Sequence, residues 1–206
     1  MDIKFYSKSD LMRTGISVAQ FLEQITRLDE ENGLLEEPYD VVVAKLTPVF
    51  DATEDMWRGI IINNEIKGYW NCVALDEKHQ KLLEEGKLLE SYVNINNLKT
   101  DLSKGKNALL FDSVCIDKSY QKHNLSGHIY KSIYDTLNAL PSKGIDVSEI
   151  WASIWSDDGV RFFSKWGFVA VVENKGDGTT GHGYIYRVGF DGAMEKLEDI
   201  IKTVEP

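Results

Sequence analysis

The sequence predicts an α/β fold of the α+β kind: a mixed, mostly antiparallel central sheet of six to seven strands flanked by helices. Three stretches carry this expectation. Residues 108–140 read as a buried strand, a polar turn and an amphipathic helix. Residues 57–75 read as two β-rich runs around a short polar turn, a hairpin signal. Residues 149–190 read as a strand, a short helix and two further strands joined by a Gly-rich loop.

Residues 2–6 form a first strand. Val18, Phe21, Leu22, Ile25 and Leu28 then recur at helical spacing. Ser17 and Gln20 are placed for a capping box, and Gly33 for a helix stop. Residues 39–49, with the run YDVVVAKL, fit either a helix or a strand. The hairpin follows, with its turn at Asn64 and Glu65. Residues 76–107 exceed what a hairpin turn needs; Leu82, Leu83, Leu88 and Leu89 suggest a helix broken near Gly86, and residues 91–102 look irregular. A connection of that length reads as a lid beside a site or as a surface excursion.

Residues 108–116 are apolar apart from Asp112 and Ser113, as a buried strand requires. After the polar residues 117–124, Leu125, Ile129, Ile133, Leu137 and Leu140 make one stripe, which Pro141 and Gly144 terminate. The first turn of such a helix offers N–H groups without intrahelical partners, and the macrodipole adds positive character. Aimed at a ligand, that end binds phosphate; without one, it is a common packing unit. Residues 149–155 read as a strand, and Ser156 or Asp157 can cap a short helix that turns Val160, Phe163, Trp166 and Gly167 inward. Residues 168–172 and 184–190 are strands around the loop 174–183, read as a hairpin turn because it lacks the Lys-Ser/Thr ending and following helix of a phosphate loop. Met194, Leu197, Ile200 and Ile201 place a terminal helix at residues 193–204.

The chain has 206 residues, 43% of them hydrophobic, enough for a sizeable core. Its formal net charge of −10 argues against nonspecific nucleic-acid binding, which needs basic surface, and permits a cationic substrate such as an amine. Cys72 and Cys115 lie in apolar runs and read as buried free thiols, too few for a disulfide framework or a zinc site. Neither a metal-ligand spacing nor a Ser–His–Asp arrangement stands out. The amino terminus lacks an apolar secretion core, and no run reaches about 18 apolar residues, so the expectation is a cytoplasmic protein with no membrane partner.

Two blocks resemble the GNAT superfamily of N-acetyltransferases. Gln121-Lys122-His123-Asn124-Leu125-Ser126, followed by Gly127, is similar to the family's loop Arg/Gln-x-x-Gly-x-Gly/Ala, with Gln121 matching and Asn124 and Ser126 in the small-residue positions. Asn tolerates left-handed backbone angles, and Ser leaves room for a phosphate. Downstream, Ser156, Gly159, Phe162, Phe163, Lys165, Gly167 and Phe168 follow the pattern Asn-x-x-Ala-x-x-Phe-Tyr-x-Lys-x-Gly-Phe, with Phe162, Lys165, Gly167 and Phe168 identical to it. The two blocks stand in the family's order and at about its distance; the likeness is clear over residues 58–186.

The resemblance implies a single GNAT-like domain over residues 1–206, with an insertion at about 76–107, and a helix at residues 39–49. It implies acetyl-CoA as co-substrate and transfer of its acetyl group to a primary amine of a small molecule or peptide. Gln121, Lys122, His123, Asn124, Leu125, Ser126 and Gly127 would hold the pyrophosphate, and Val114, Cys115 and Ile116 would pair with pantetheine. Asp112 stands where many members carry an acidic residue and is the candidate base or water-relay anchor. Phe163, at the cofactor, replaces the Tyr that often protonates the leaving thiolate, and a phenyl ring cannot donate a proton. Tyr130 and Tyr184, with Tyr186, are the alternative donors. The second function class is a noncatalytic acyl-CoA-binding or protein-interaction domain on the same scaffold. Trp151, Trp155, Phe162 and Phe163, with Trp166, read as core, as a homodimer contact or as a substrate wall.

Overall fold

Short-range signals set the ends of most elements. The computed structural model describes residues 2–35, 37–53, 56–88, 93–121, 123, 125–175 and 183–204. Strand β1 (Ile3–Tyr6) leads into α1 (Lys8–Arg13), which the sequence reading did not foresee. Six residues are too few to show a helical period, yet Ser7 and Asp10 cap each other's backbone N–H groups. Helix α2 (Val18–Asn32) starts on the expected Ser17/Gln20 capping box and ends at Gly33, which sits at φ 74°. The ambiguous segment is helix α3 (Tyr39–Ala52), with Val42, Leu46, Val49 and Phe50 buried on one side.

Strands β2 (Trp57–Ile62) and β3 (Glu65–Val73) form the hairpin. Its turn is Asn63-Asn64, one residue earlier than expected, with φ of 52° and 67°. A tight two-residue turn needs positive φ at both central positions, and Asn bears that better than Glu. Helix α4 (Glu77–Glu84), capped by Asp76, stops before Gly86, at φ 67°. A Cβ on Gly86 would lie 2.2 Å from the Glu173 carbonyl oxygen. The irregular stretch beyond is anchored by the Leu75–Leu98 bridge and by Asp76 N–H donating to the Asn97 carbonyl at 2.8 Å. Leu89 lies outside the described residues.

Then follow β4 (Asn107–Ile116), α5 (Ser126–Asn138), β5 (Val147–Ile154) and α6 (Asp157–Ser164). Ser156 caps α6, its hydroxyl accepting from Gly159 N–H at 3.0 Å. Strands β6 (Val169–Glu173) and β7 (Tyr184–Gly189) pair antiparallel, and α7 (Phe190–Val204) ends the chain. Most of the Gly-rich connection, residues 176–182, lies outside the described residues.

The seven strands make one mixed sheet in the order β1-β2-β3-β4-β5-β7-β6, flanked by helices. Strands β4 and β5 run parallel, while β1–β2, β2–β3, β5–β7 and β7–β6 are antiparallel. The backbone groups into two units. One comprises residues 1–72, 94–96 and 112–125; the other comprises 73–93, 97–111 and 126–206. In the first, Phe21, Phe50, Trp57 and Tyr69 form a chain of ring contacts between helices and hairpin. In the second, Phe111, Phe163, Trp166 and Phe168 interlock beneath α6. Among the described residues, no helix is long and apolar enough to cross a membrane.

Candidate functional site

The expected site begins on β4. Its register with β5 runs from Asn107↔Val147 to Phe111↔Ala152 and goes no further among the described pairs. Asp112, Ser113, Val114, Cys115 and Ile116 therefore follow the last β5 partner. Cys115 is buried, and Val114 and Ile116 are half-buried. On the β3 side the approach is close: a Cβ on Gly68 would lie 2.5 Å from the Cys115 carbonyl oxygen.

The turn after β4 is built by Asp117. Its carboxylate accepts from Ser119 N–H at 2.9 Å and from the Ser119 hydroxyl at 2.6 Å. The Ser119 hydroxyl bond, aided by Lys67 at 3.5 Å, holds the Asp117 carboxyl below its usual range. Gln121 is exposed, and its amide donates to the Ile116 carbonyl at 3.0 Å and to the Asn32 side chain at 3.1 Å. In this structure Gln121 thus closes the turn on itself. His123 is exposed beside Tyr120, Leu125 is buried, Ser126 opens α5 and Gly127 is buried in its first turn. Lys122 and Asn124 lie outside the described residues.

The acid candidates belong to the second unit. Tyr130 is buried, stacks on Phe162 and donates its hydroxyl to the Phe162 carbonyl at 2.8 Å. Burial alone pushes its acidity well below that of an ordinary tyrosine. As a proton donor it would first have to give up that carbonyl. Tyr184 opens β7 and is exposed. Phe163 is only 8% exposed and packs against Phe111, Phe162, Trp166 and Phe168. Its ring is part of the aromatic core.

The first unit holds a polar cluster that the sequence reading missed. Asp112 accepts from the Asn71 amide at 3.0 Å, and burial raises its pKa against the pull of that bond. Beside it, Asp29 of α2 is 7% exposed and accepts from the Tyr69 hydroxyl at 2.6 Å. Burial raises the Asp29 pKa to about 7, opposed by the Tyr69 and Cys115 side chains and assisted by the Asp112 charge. Burial and the neighbouring Asp29 charge push the Cys115 thiol far up, so it stays protonated. Cys72, buried in the same unit, is raised to about 12. One signal for Asp29 was present: it stands four residues after Ile25, on the apolar side of α2. Among the described residues, no group of three or more His, Cys, Asp or Glu is placed to hold a metal ion.

Neither a protein-family model nor a curated protein matches the sequence. Solved structures do match the fold. A protein from Bacillus halodurans superposes with a TM-score of 0.60 at 13% identity, over 98% of this chain and 91% of its own. A candidate GNAT-family acetyltransferase from Desulfovibrio desulfuricans gives 0.55 at 14% identity, over 92% and 99%. An aminoglycoside acetyltransferase in complex with coenzyme A gives 0.56 at 12% identity, over 96% and 99%. Identities this low speak to the backbone and not to the chemistry. The fold of this chain is thus like that of GNAT-family acetyltransferases over 92–96% of its length.

Proposed function

We propose that this chain is an acyl-CoA-dependent N-acyltransferase that moves an acetyl group from acetyl-CoA to a primary amine of a small molecule or peptide. The observation that carries the reading is the end of the β4–β5 register at Phe111. Backbone groups of Val114, Cys115 and Ile116 that β5 does not claim suit a pantetheine arm, which bonds as an extra strand would. The turn that follows suits the pyrophosphate. Small Ser126 and Gly127 open α5, where helix N–H groups favour an anion, and exposed Gln121 and His123 stand within the same turn. Lys122, Asn124 and Leu125 complete the proposed loop.

Bound acetyl-CoA supplies the activated acyl carbon. The chain must keep the amine neutral for attack, steady the developing oxyanion through N–H donors, and return a proton to the leaving sulfur. Asp112 is proposed as the base or as the anchor of a water relay. Tyr184, which is exposed, is proposed as the proton donor in preference to Tyr130, whose hydroxyl is engaged by the Phe162 carbonyl. We place the protein in the cytoplasm.

Calorimetric titration with acetyl-CoA tests the reading. The wild type should bind, and Ser126→Trp, which fills the start of α5, should lose binding while its thermal unfolding stays cooperative. Equal binding by both would put the site elsewhere. Binding without transfer to any member of a broad amine panel would favour a noncatalytic acyl-CoA-binding domain.

A further inference from the structure

Two buried oxygens in the first unit have no partner among the described residues: Oδ1 of Asp29 and Oδ1 of Asn71. Asp29 is 7% exposed and Asn71 fully buried. Of their other polar atoms, Asp29 Oδ2 accepts from Tyr69 and Asn71 Nδ2 donates to Asp112, and the weakly donating Cys115 thiol also faces the Asp29 carboxyl. A buried acceptor left without a donor is destabilising, so each of these oxygens asks for a donor from outside the described residues. Tyr69 and Asn71 alternate along β3 and so share one face of the strand. Asp112 is close enough to Asp29 for its charge to disfavour ionisation there, so a cation between the two would relieve that repulsion.

We infer that Asp29 and Asn71 hold the ammonium group of the acceptor amine, and that Asp29 is the carboxylate that takes its proton. The inference rests on the transferase reading for its chemical purpose and not for its binding site. A primary ammonium brings three N–H donors and one positive charge, which match the two orphan oxygens and the Asp29–Asp112 pair. Asp112 of this cluster is half-buried, as are its β4 neighbours Ser113 and Val114. In the step itself, one N–H bond of the ammonium breaks and its electron pair stays on nitrogen. The proton forms an O–H bond on Asp29, leaving a neutral amine and a neutral carboxyl. The Tyr69 hydroxyl orients the carboxylate through its other oxygen, and of the two roles proposed for Asp112 this leaves the anchor of the water relay.

The groups facing Asp29 are Tyr69 from β3 and Cys115 and Asp112 from β4; Lys45 of α3 acts on Asp112. Carbon-13 NMR of the Asp side-chain carboxyls follows the titration, with Asp29→Asn assigning the signal. In ethylammonium chloride the Asp29 midpoint should fall by about one pH unit or more, the scale for an opposite charge beside a carboxylate. In tetramethylammonium chloride of equal ionic strength, which has the charge but no N–H, it should not move. Equal midpoints in the two salts would overturn the inference, as they would if a bound water satisfied both oxygens. Acetyl-CoA calorimetry on the same sample separates the failures. A midpoint shift without acetyl-CoA binding retires the transferase and the proton-accepting step. Acetyl-CoA binding without a midpoint shift retires the amine site alone.

Discussion

Asp29 couples the charge state of the chain to its stability. Its carboxyl titrates at about 7 in the folded protein against an ordinary 3.8. Between those values the unfolded chain gives up the proton and the folded one keeps it, so stability falls as pH rises through this window. Three pH units of difference correspond to about 4 kcal/mol. Tyr69, Cys115 and Asp112 are the groups that face the carboxyl, and none of them is a cation. Urea unfolding from pH 4 to pH 8 should show the wild type losing stability relative to Asp29→Asn; parallel curves would mean that the carboxyl does not titrate there. Phe163 makes the opposite kind of prediction. With four aromatic neighbours at ring-centroid distances of 5.1–5.7 Å, the added hydroxyl of Phe163→Tyr has no evident partner. Burying it should cost about 1–3 kcal/mol and lower Tm by several degrees in a thermal scan. An unchanged Tm would show that the hydroxyl reaches solvent or a ligand.

At the scale of elements, the contact of β3 with β4 sets the geometry of the proposed pantetheine strand. Gly68 stands where a Cβ would lie 2.5 Å from the Cys115 carbonyl oxygen and 3.2 Å from the Ile116 Cα. Both neighbours are backbone, so neither can rotate away. Gly68→Ala should therefore displace β4 at Cys115 and Ile116 and destabilise by about 1–3 kcal/mol, the range for overpacking. If those residues hold pantetheine, the acetyl-CoA Kd should rise in the same variant. A stable variant with unchanged Kd would take the β3 contact out of the site. The hairpin turn shows the limit of reading elements by composition. Asn64-Glu65 and Asn63-Asn64 are both polar pairs, and only the requirement for positive φ at both positions selects the second.

Across the whole molecule, the formal net charge of −10 should govern encounter. Charges reach about 30 Å at 0.01 M salt and about 10 Å at 0.1 M. Raising salt across that range should lower kcat/KM for a cationic alkylamine and leave it unchanged for an aromatic amine that is neutral at the assay pH. A salt response shared by both would point to the polyanionic acetyl-CoA, or to the fold, as the salt-sensitive partner. The same acidity suits the proposed ammonium site.

Helix caps, strand runs and terminators act over a few residues, which is why Ser17, Gly33, Ser156 and the β4–turn–α5 unit were legible in the sequence. The two motif blocks carried the fold family because each is contiguous. Helix α1 escaped because six residues show no period, and α3 stayed open because a β-branched run suits either state. The polar cluster escaped for a different reason. Asp29, Tyr69, Asn71 and Asp112 come from three elements spread over 84 positions, and no local pattern marks a carboxylate that will be buried. Burial and partnership exist only once α2, β3 and β4 have packed together. Tertiary structure alone therefore decided that Asp29 would titrate near neutrality, that the Tyr130 hydroxyl would be held by a carbonyl, and that the Phe163 ring would join the core.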